Sequence, residues 1–471
     1  MIGILINLKL NWRVLLPINN NQNLKFLFIS KSDLYGGGSI AAYRLHRTLC
    51  STGYLSKMVV LNKYSEDESV IELKPKFLSF INNSISNKIK YIFNYRIGIL
   101  LRKIYKLFYE FLKITGREVF FYPATYKILN QIDFKPDFIC LYNINEGFFD
   151  LRILKEWKKS YNIIYHLSDL WIFTGHCGVP ISCDKLLTQC SSCPDLNIPP
   201  KIHFDRTKTN FNFKRKITDL VPINYLAPSK WVYEIALKCI TNSASSINLL
   251  NNAVDTEIFK QKQNSKKDDG IFRIVTSAVG FKFNPYKDLE TIISSFENIS
   301  KIHKIKLIVI GEKNSNYPGL EHLNIEFYDH IHEFSEIIKI YKKCDVLVHS
   351  SNIETWGFTV TEALSLGIPV IASNVGGLKD QIKGLNISNI NNSKENMYNI
   401  NEANGFLFEK NNINQLSYTL KYMIENKSER IKMSENAKIY AEHNFNLKKH
   451  VDSFVEICIN IKLNQKVSGN N

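Results

Sequence analysis

Short apolar runs rich in branched side chains recur along the chain and alternate with longer stretches whose apolar residues return every three or four positions. Lys25–Ser30 (KFLFIS), Lys57–Leu61, Phe138–Tyr142 (FICLY), Asn162–Leu167 (NIIYHL) and Ile223–Ala227 form one series. Arg273–Val279, 305–311 (IKLIVIG), Ile325–Tyr328, 345–351 (DVLVHSS), Pro369–Ser373 and 405–408 (GFLF) form a second. Uniformly apolar runs predict strands covered on both faces, as in a parallel sheet. Helical stripes fall between them: Ala41, Ala42, Leu45 and Leu49; the segment Leu151–Lys159; and Leu289, Ile292, Ile293, Phe296 and Ile299. Further helices are predicted from 413, from 428 and over 446–463. This alternation predicts α/β architecture in two doubly wound, Rossmann-like domains facing a central cleft. The expected division is an N-terminal extension 1–23, a first domain 24–222 and a second domain 223–445, with the hinge near 221–270. A last helix and tail, 446–471, return to the first domain.

The most informative stretch is 350–377, SSNIETWGFTVTEALSLGIPVIASNVGG. A helix is expected to begin near Phe358, because Gly357 permits backbone conformations that other residues avoid. Gly367 and Pro369 stop it ahead of the next strand. Ligands bind such sheets at the carboxyl ends of their strands. The backbone amides of Gly357, Phe358 and Thr359 at the start of the helix suit a phosphate. Glu354 and Glu362, with seven residues between them, are acceptors suited to sugar or ribose hydroxyls. Taken as spacing alone, the pair reads as two solvated carboxylates; the surrounding WGF, TEALSLGIPVIAS and Gly376-Gly377 reverse that reading.

With that context the stretch resembles the Glu-x7-Glu signature of the retaining glycosyltransferase family four, of GT-B fold. The resemblance implies that Glu354 faces the transferred sugar and Glu362 holds the ribose of a nucleotide-sugar donor. Lys282 and Lys287, five apart, match the family's Arg-x4-Lys diphosphate clamp, with Asp288 in place of the usual Gly; two solvated lysines are the alternative reading. Gly36, Gly37 and Gly38 follow the first strand, where such enzymes carry a glycine-rich loop facing the acceptor cleft, and Ser39 suits a helix cap. Gly37 and Gly38 are thus expected to let the backbone approach a bound group, although a triple glycine is also compatible with a plain turn. Asn252, Ala253, Val254 and Asp255 resemble the family's junction segment, with Ala for Gly. Gly376, Gly377 and Asp380 resemble a Gly-Gly-x-x-Glu segment.

The stretch 168–195, SDLWIFTGHCGVPISCDKLLTQCSSCPD, resembles a subgroup that builds bacterial exopolysaccharides of the colanic-acid type. Asp169, Trp171 and the TGHC of 174–177 are kept, while Ser168 stands where the subgroup has a histidine that touches the donor sugar. Within the Cys-rich insert 174–195, Cys177, Cys183, Cys190 and Cys193 have spacings compatible with a structural zinc knuckle. Disulfides and unpaired thiols are the alternatives, and His176 is an alternate ligand. The resemblance implies transfer of a sugar, with retention, onto a growing, lipid-linked glycan, with no metal required for the chemistry.

Composition narrows the setting. The chain has 471 residues, 45% hydrophobic and 22% charged, with net charge +16, so an anionic partner is expected. No nucleic-acid motif accompanies that charge, and nucleic acid is not an expected partner. Nine cysteines, an odd number, five of them scattered through core elements, suit a reducing, cytoplasmic compartment. Basic and apolar residues interleave over 83–130, either as a solvated helix face or as a surface for anionic lipid at the inner face of the plasma membrane. The polar segment 199–221 reads as linker. No apolar run reaches the roughly 18 residues needed to span a bilayer.

Overall fold

The computed structural model describes residues 24–73, 104, 107, 111, 114–118, 122–145, 147–259, 269–313, 317–331, 334–386 and 401–468. The extension 1–23 and, apart from the positions just given, the basic stretch 83–130 lie outside them. No helix among the described residues is long and apolar enough to cross a membrane.

Two seven-stranded sheets form the core. The first comprises β1 (Lys25–Ser32), β2 (Leu55–Asn62), β3 (Val70–Glu72), β4 (Phe138–Leu141), β5 (Asn162–His166), β6 (Asn224–Ala227) and β7 (Ser246–Leu249). Their order is β3-β2-β1-β4-β5-β6-β7, and every pairing is parallel. The second comprises β8 (Phe272–Ser277), β9 (Ile305–Ile310), β10 (Ile325–Tyr328), β11 (Val346–His349), β12 (Val370–Ser373), β13 (Gly384–Asn386) and β14 (Gly405–Phe408). It runs β10-β9-β8-β11-β12-β14-β13, again parallel throughout. The interior strands are buried on both faces by apolar side chains, as their unalternating patterns require. In each sheet the order reverses beside the first strand, between β1 and β4 and between β8 and β11. A cleft opens at the carboxyl end of such a switch point.

The boundary expected at 222 is corrected. β6 pairs with β5, and β7 with β6, so the first sheet runs through Leu249. The misreading came from 199–221. Its polar composition suggested a linker, yet Thr207–Thr218 is a helix with Phe211 and Ile217 buried. Lys214 is wholly buried, donates to Glu118 Oε2 at 2.8 Å, and lies 4.1 Å from the Trp171 ring centroid. A lysine concealed in an ion pair is indistinguishable, in sequence, from a solvated one.

The last helix, Leu447–Ser468, lies against the first domain: Val451, Phe454, Val455, Cys458 and Ile461 join the Phe26, Phe28 and Phe138 cluster. Lys462 reaches Asp137 at 2.7 Å. The two domains also meet around the cleft. Thr355 Oγ1 donates to the Ser168 carbonyl at 2.8 Å, and the Asp380 carboxylate accepts the Lys230 amide at 2.6 Å.

Candidate functional site

The loop after β11 and the helix Phe358–Ser365 carry both signature carboxylates. Glu354 is paired with Lys287, which sits on the segment after β8. Lys287 Nζ also donates to Ser351 Oγ at 3.3 Å and lies 3.2 Å from His349 Nε2. His349 Nε2 stands 3.3 Å from Glu354 Oε2, while its Nδ1 is 3.0 Å from Thr359 Oγ1. Burial alone would raise the Glu354 carboxyl, but Lys287 and His349 outweigh it and hold it down to about 2. Burial, reinforced by Lys287, keeps His349 below the usual histidine range despite Glu354. At neutral pH the cluster therefore holds one carboxylate, one ammonium and a neutral imidazole. Sequence reasoning missed His349; its position as the last residue of a strand beside the switch point was the available signal.

Glu354 faces a cavity of about 330 Å³ between the domains, lined also by Asp169, Asn145, Lys31, Tyr64 and Tyr286. Asp169 is fixed there by Asn145 Nδ2 at 2.7 Å and the Trp171 amide at 3.0 Å. Gly36 and Ser39 line the cavity, whereas Gly37 and Gly38 do another job. A Cβ on Gly37 would lie 3.4 Å from Phe358, and one on Gly38 only 2.6 Å from Ser168 Oγ. These glycines let Phe358 and Ser168 pack close to the start of the first helix. The expected cap is also corrected: Gly36, at φ 88°, precedes the helix Gly37–Ser51, and Ser39 Oγ pairs with Ser30 Oγ at 3.0 Å.

Gly357 needs a different reason from the one its sequence suggested. Its φ is −85°, available to any residue, but a Cβ would meet Leu378 at 3.0 Å and Gln381 Oε1 at 3.3 Å. Gln381 accepts the Gly357 amide and donates to the Gly357 carbonyl, both at 2.9 Å, and reaches Thr361 Oγ1 at 2.8 Å. The Gly357 amide is thus occupied, which leaves the expected phosphate seat to the amides of Phe358 and Thr359.

Glu362, on the same helix, points to the first domain. Its Oε1 accepts from Arg44 Nη2 at 2.8 Å. Burial raises its carboxyl and Arg44 pulls against that rise. Lys282 lies on the turn Phe281–Phe283; its amide donates to Glu312 Oε2 at 2.9 Å and its ammonium is 5.9 Å from the Phe283 ring centroid. Asp288 caps the helix Leu289–Ser300 through the Thr291 amide and accepts from Ser350 Oγ, both at 3.0 Å. Ser168 Oγ is 2.8 Å from His166 Nδ1, and His166 is buried against Tyr142 with 4.5 Å between ring centroids.

The four insert cysteines line one small cavity of about 140 Å³, together with His176, whose Nε2 is 3.3 Å from Cys193 Sγ. All four thiols are free. Among the described residues, no three His, Cys, Asp or Glu side chains are arranged closely enough to hold a metal ion.

Two parallel-sheet domains with a cleft at their switch points, and with paired acidic and basic residues at the second domain's strand ends, define a protein of GT-B fold. Residues 255–440, most of the second domain, match the family described as "Glycosyl transferases group 1". WcaC of Escherichia coli (strain K12), a glycosyl transferase assigned to colanic acid biosynthesis, is 23% identical over 49% of this chain and 56% of its own length. A UDP-Gal:alpha-D-GlcNAc-diphosphoundecaprenol alpha-1,3-galactosyltransferase of Escherichia coli is 30% identical over 28% of this chain and 29% of its own. The chain thus spans about half or less of these curated relatives. Anabaena Alr3699/HepE, solved with UDP-glucose, superposes with a TM-score of 0.57 at 14% identity, covering 92% of this chain and 99% of that structure.

Proposed function

We propose that the chain transfers a sugar from a nucleotide-sugar donor, with retained configuration, onto a hydroxyl of a growing, lipid-linked glycan in cell-surface polysaccharide synthesis. The observation that carries this reading is the Lys287, His349 and Glu354 cluster, which places a carboxylate ionised throughout the neutral range in the interdomain cavity beside the start of a helix. Glu354 serves the transferred sugar and Glu362 the ribose. Lys282, Lys287 and the amides of Phe358 and Thr359 receive the diphosphate. The bond between the anomeric carbon and the phosphate oxygen breaks, the acceptor oxygen bonds to that carbon from the same face, and its proton passes to the departing phosphate. A helix terminus supplies about 0.3–1 kcal/mol. Loss of a donor to developing charge costs about 2.7–4 kcal/mol, so the lysines dominate leaving-group stabilisation. In the structure Lys287 is turned toward Glu354, Ser351 and His349, and a bound diphosphate takes over part of that coordination. The glycan acceptor occupies the side of the cavity formed by the first domain, where Asp169, Asn145 and Tyr64 supply polar and aromatic contacts. The kinship with polysaccharide enzymes, and the lipid diphosphate in the name of one relative, support the acceptor class. The reading places the enzyme in the cytoplasm, against the inner membrane face.

A thermal-shift screen over UDP-, GDP- and ADP-sugars tests the donor. Ligand at about 100 times its Kd stabilises by about 2.7 kcal/mol. Glu362→Ala is expected to abolish the shift produced by the active nucleotide, and an unchanged shift would remove the ribose assignment. A second reading, a nucleotide-binding but catalytically idle subunit, is favoured by Ser168, whose hydroxyl is engaged by His166 where the subgroup has a sugar-contacting histidine. Release of free nucleotide with the acceptor present decides between the two.

A further inference from the structure

We propose that Arg44, on the first-domain helix Gly37–Ser51, is a donor-binding residue: one amino group holds Glu362 while the other, Nη1, donates to an oxygen of the bound nucleotide. This rests on the assignment of Glu362 to the donor ribose. Arg44 Nη2 lies 2.8 Å from Glu362 Oε1, across 318 residues of sequence and across the cleft. The guanidinium is flanked by two second-domain rings, with Cζ 5.2 Å from the Phe358 centroid and 5.6 Å from that of Phe334. Two aromatic neighbours and a carboxylate fix the plane of the fork, a geometry for which arginine is suited and lysine is not.

Nη1 is enclosed and has no hydrogen-bond partner. A buried donor left unmade costs free energy comparable to a lost hydrogen bond, and more when it is charged. The groups that Arg44 already touches are Glu362, assigned to the ribose, and Phe358, which opens the helix assigned to the phosphates. A ribose or phosphate oxygen supplies the acceptor that Nη1 lacks. Arg44 need not leave for this to happen, because a carboxylate has about four lone-pair sites and Glu362 can accept a hydroxyl beside Arg44. The first domain therefore contributes to the donor site, and donor affinity depends on the domains being closed.

The test is calorimetric binding of UDP, GDP and ADP to the full chain as wild type, Arg44→Ala, Arg44→Lys and Glu362→Ala. For the nucleotide that binds, Arg44→Ala is expected to weaken affinity about 10- to 100-fold, and Arg44→Lys to recover little of it. Repetition with the 2′-deoxy nucleotide and with the nucleoside locates the contact: a loss that vanishes without the 2′-hydroxyl marks the ribose, and one that vanishes without the phosphates marks the diphosphate. Arg44→Ala variants that bind equally well while melting lower would make Arg44 a structural strut and overturn the proposal. Tighter binding would make it a latch that competes with the ribose, and would overturn it as well. Loss in Glu362→Ala with none in Arg44→Ala refutes this inference and leaves the donor assignment standing. A wild type that binds none of the three nucleotides refutes both.

Discussion

Lys287→Ala is expected to lower sugar transfer about 10²- to 10³-fold and to change how stability responds to acid. The first effect follows from removing a cation from the developing charge on the leaving diphosphate. The second follows from Glu354. Burial pushes its carboxyl up, and Lys287 with His349 brings it down to about 2, below the roughly 4.3 of an unfolded chain. A group depressed on folding stabilises the native state above its unfolded pKa, and that contribution fades as pH falls through the folded value. In the wild type the contribution, roughly 3 kcal/mol by the size of the shift, is complete at neutral pH and lost between about pH 4 and 2. Without Lys287 the burial of Glu354 is opposed chiefly by His349, so its carboxyl rises and the stabilisation becomes a penalty at neutral pH. His349, freed of the neighbouring ammonium, gains proton affinity. Melting temperature measured from pH 3 to 8, alongside initial rates, checks both halves. A variant whose melting curve parallels the wild type across that range would show that the ion pair does not set the state of Glu354.

What was legible in the sequence, and what was not, divides along a physical line. Buried parallel strands announce themselves, because a strand covered on both faces has no polar positions to confuse the pattern; KFLFIS, IKLIVIG and DVLVHSS all fall within strands or at their ends. The edge strands Val70–Glu72, Ser246–Leu249 and Gly384–Asn386 went unread, since segments of three or four residues carry no periodicity. The Glu354 and Glu362 pair was readable because its chemistry and its helix lie within one short stretch. Arg44 and Gln381 were not readable, and His349 only through its place at a strand end: each works through a partner supplied by folding, and alone each resembles an ordinary polar residue. Lys214 makes the same point inside the core. The glycines erred in the other direction. Their presence signalled a tight place, but whether the tightness concerned φ, a ligand or a neighbouring side chain was settled only by the packing around them.

Gly376 and Gly377 show the consequence of that distinction. Gly376 adopts φ 48°, and a Cβ there would stand 2.1 Å from the Glu354 carbonyl oxygen. Gly377 has an ordinary φ of −72°, so backbone freedom does not explain it. Its Cβ would instead lie 2.1 Å from the Thr355 carbonyl and 2.9 Å from Ser229. Its amide donates to the Glu354 carbonyl at 2.8 Å. Thr355 in turn holds the Ser168 carbonyl in the first domain, and Ser229 caps the first-domain helix Lys230–Cys239 by accepting the Val232 amide at 3.3 Å. One added methyl at 377 must therefore displace backbone carrying Glu354, the first-domain helix cap, or both, and neither is a flexible side-chain end that swings aside. Gly377→Ala is expected to cost about 1–3 kcal/mol of stability, the range for overpacking. It is also expected to lower turnover about 100-fold, the scale of a 1 Å misplacement of a reacting group. Nucleotide affinity, assigned to Glu362 farther along the helix and to Arg44 on the first-domain helix Gly37–Ser51, is expected to fall much less. Turnover and nucleotide Kd measured on the same preparation separate these effects. Equal losses in both would mean that the methyl opens the whole cleft, whereas wild-type turnover would mean that the loop yields and that the glycine pair does not fix Glu354.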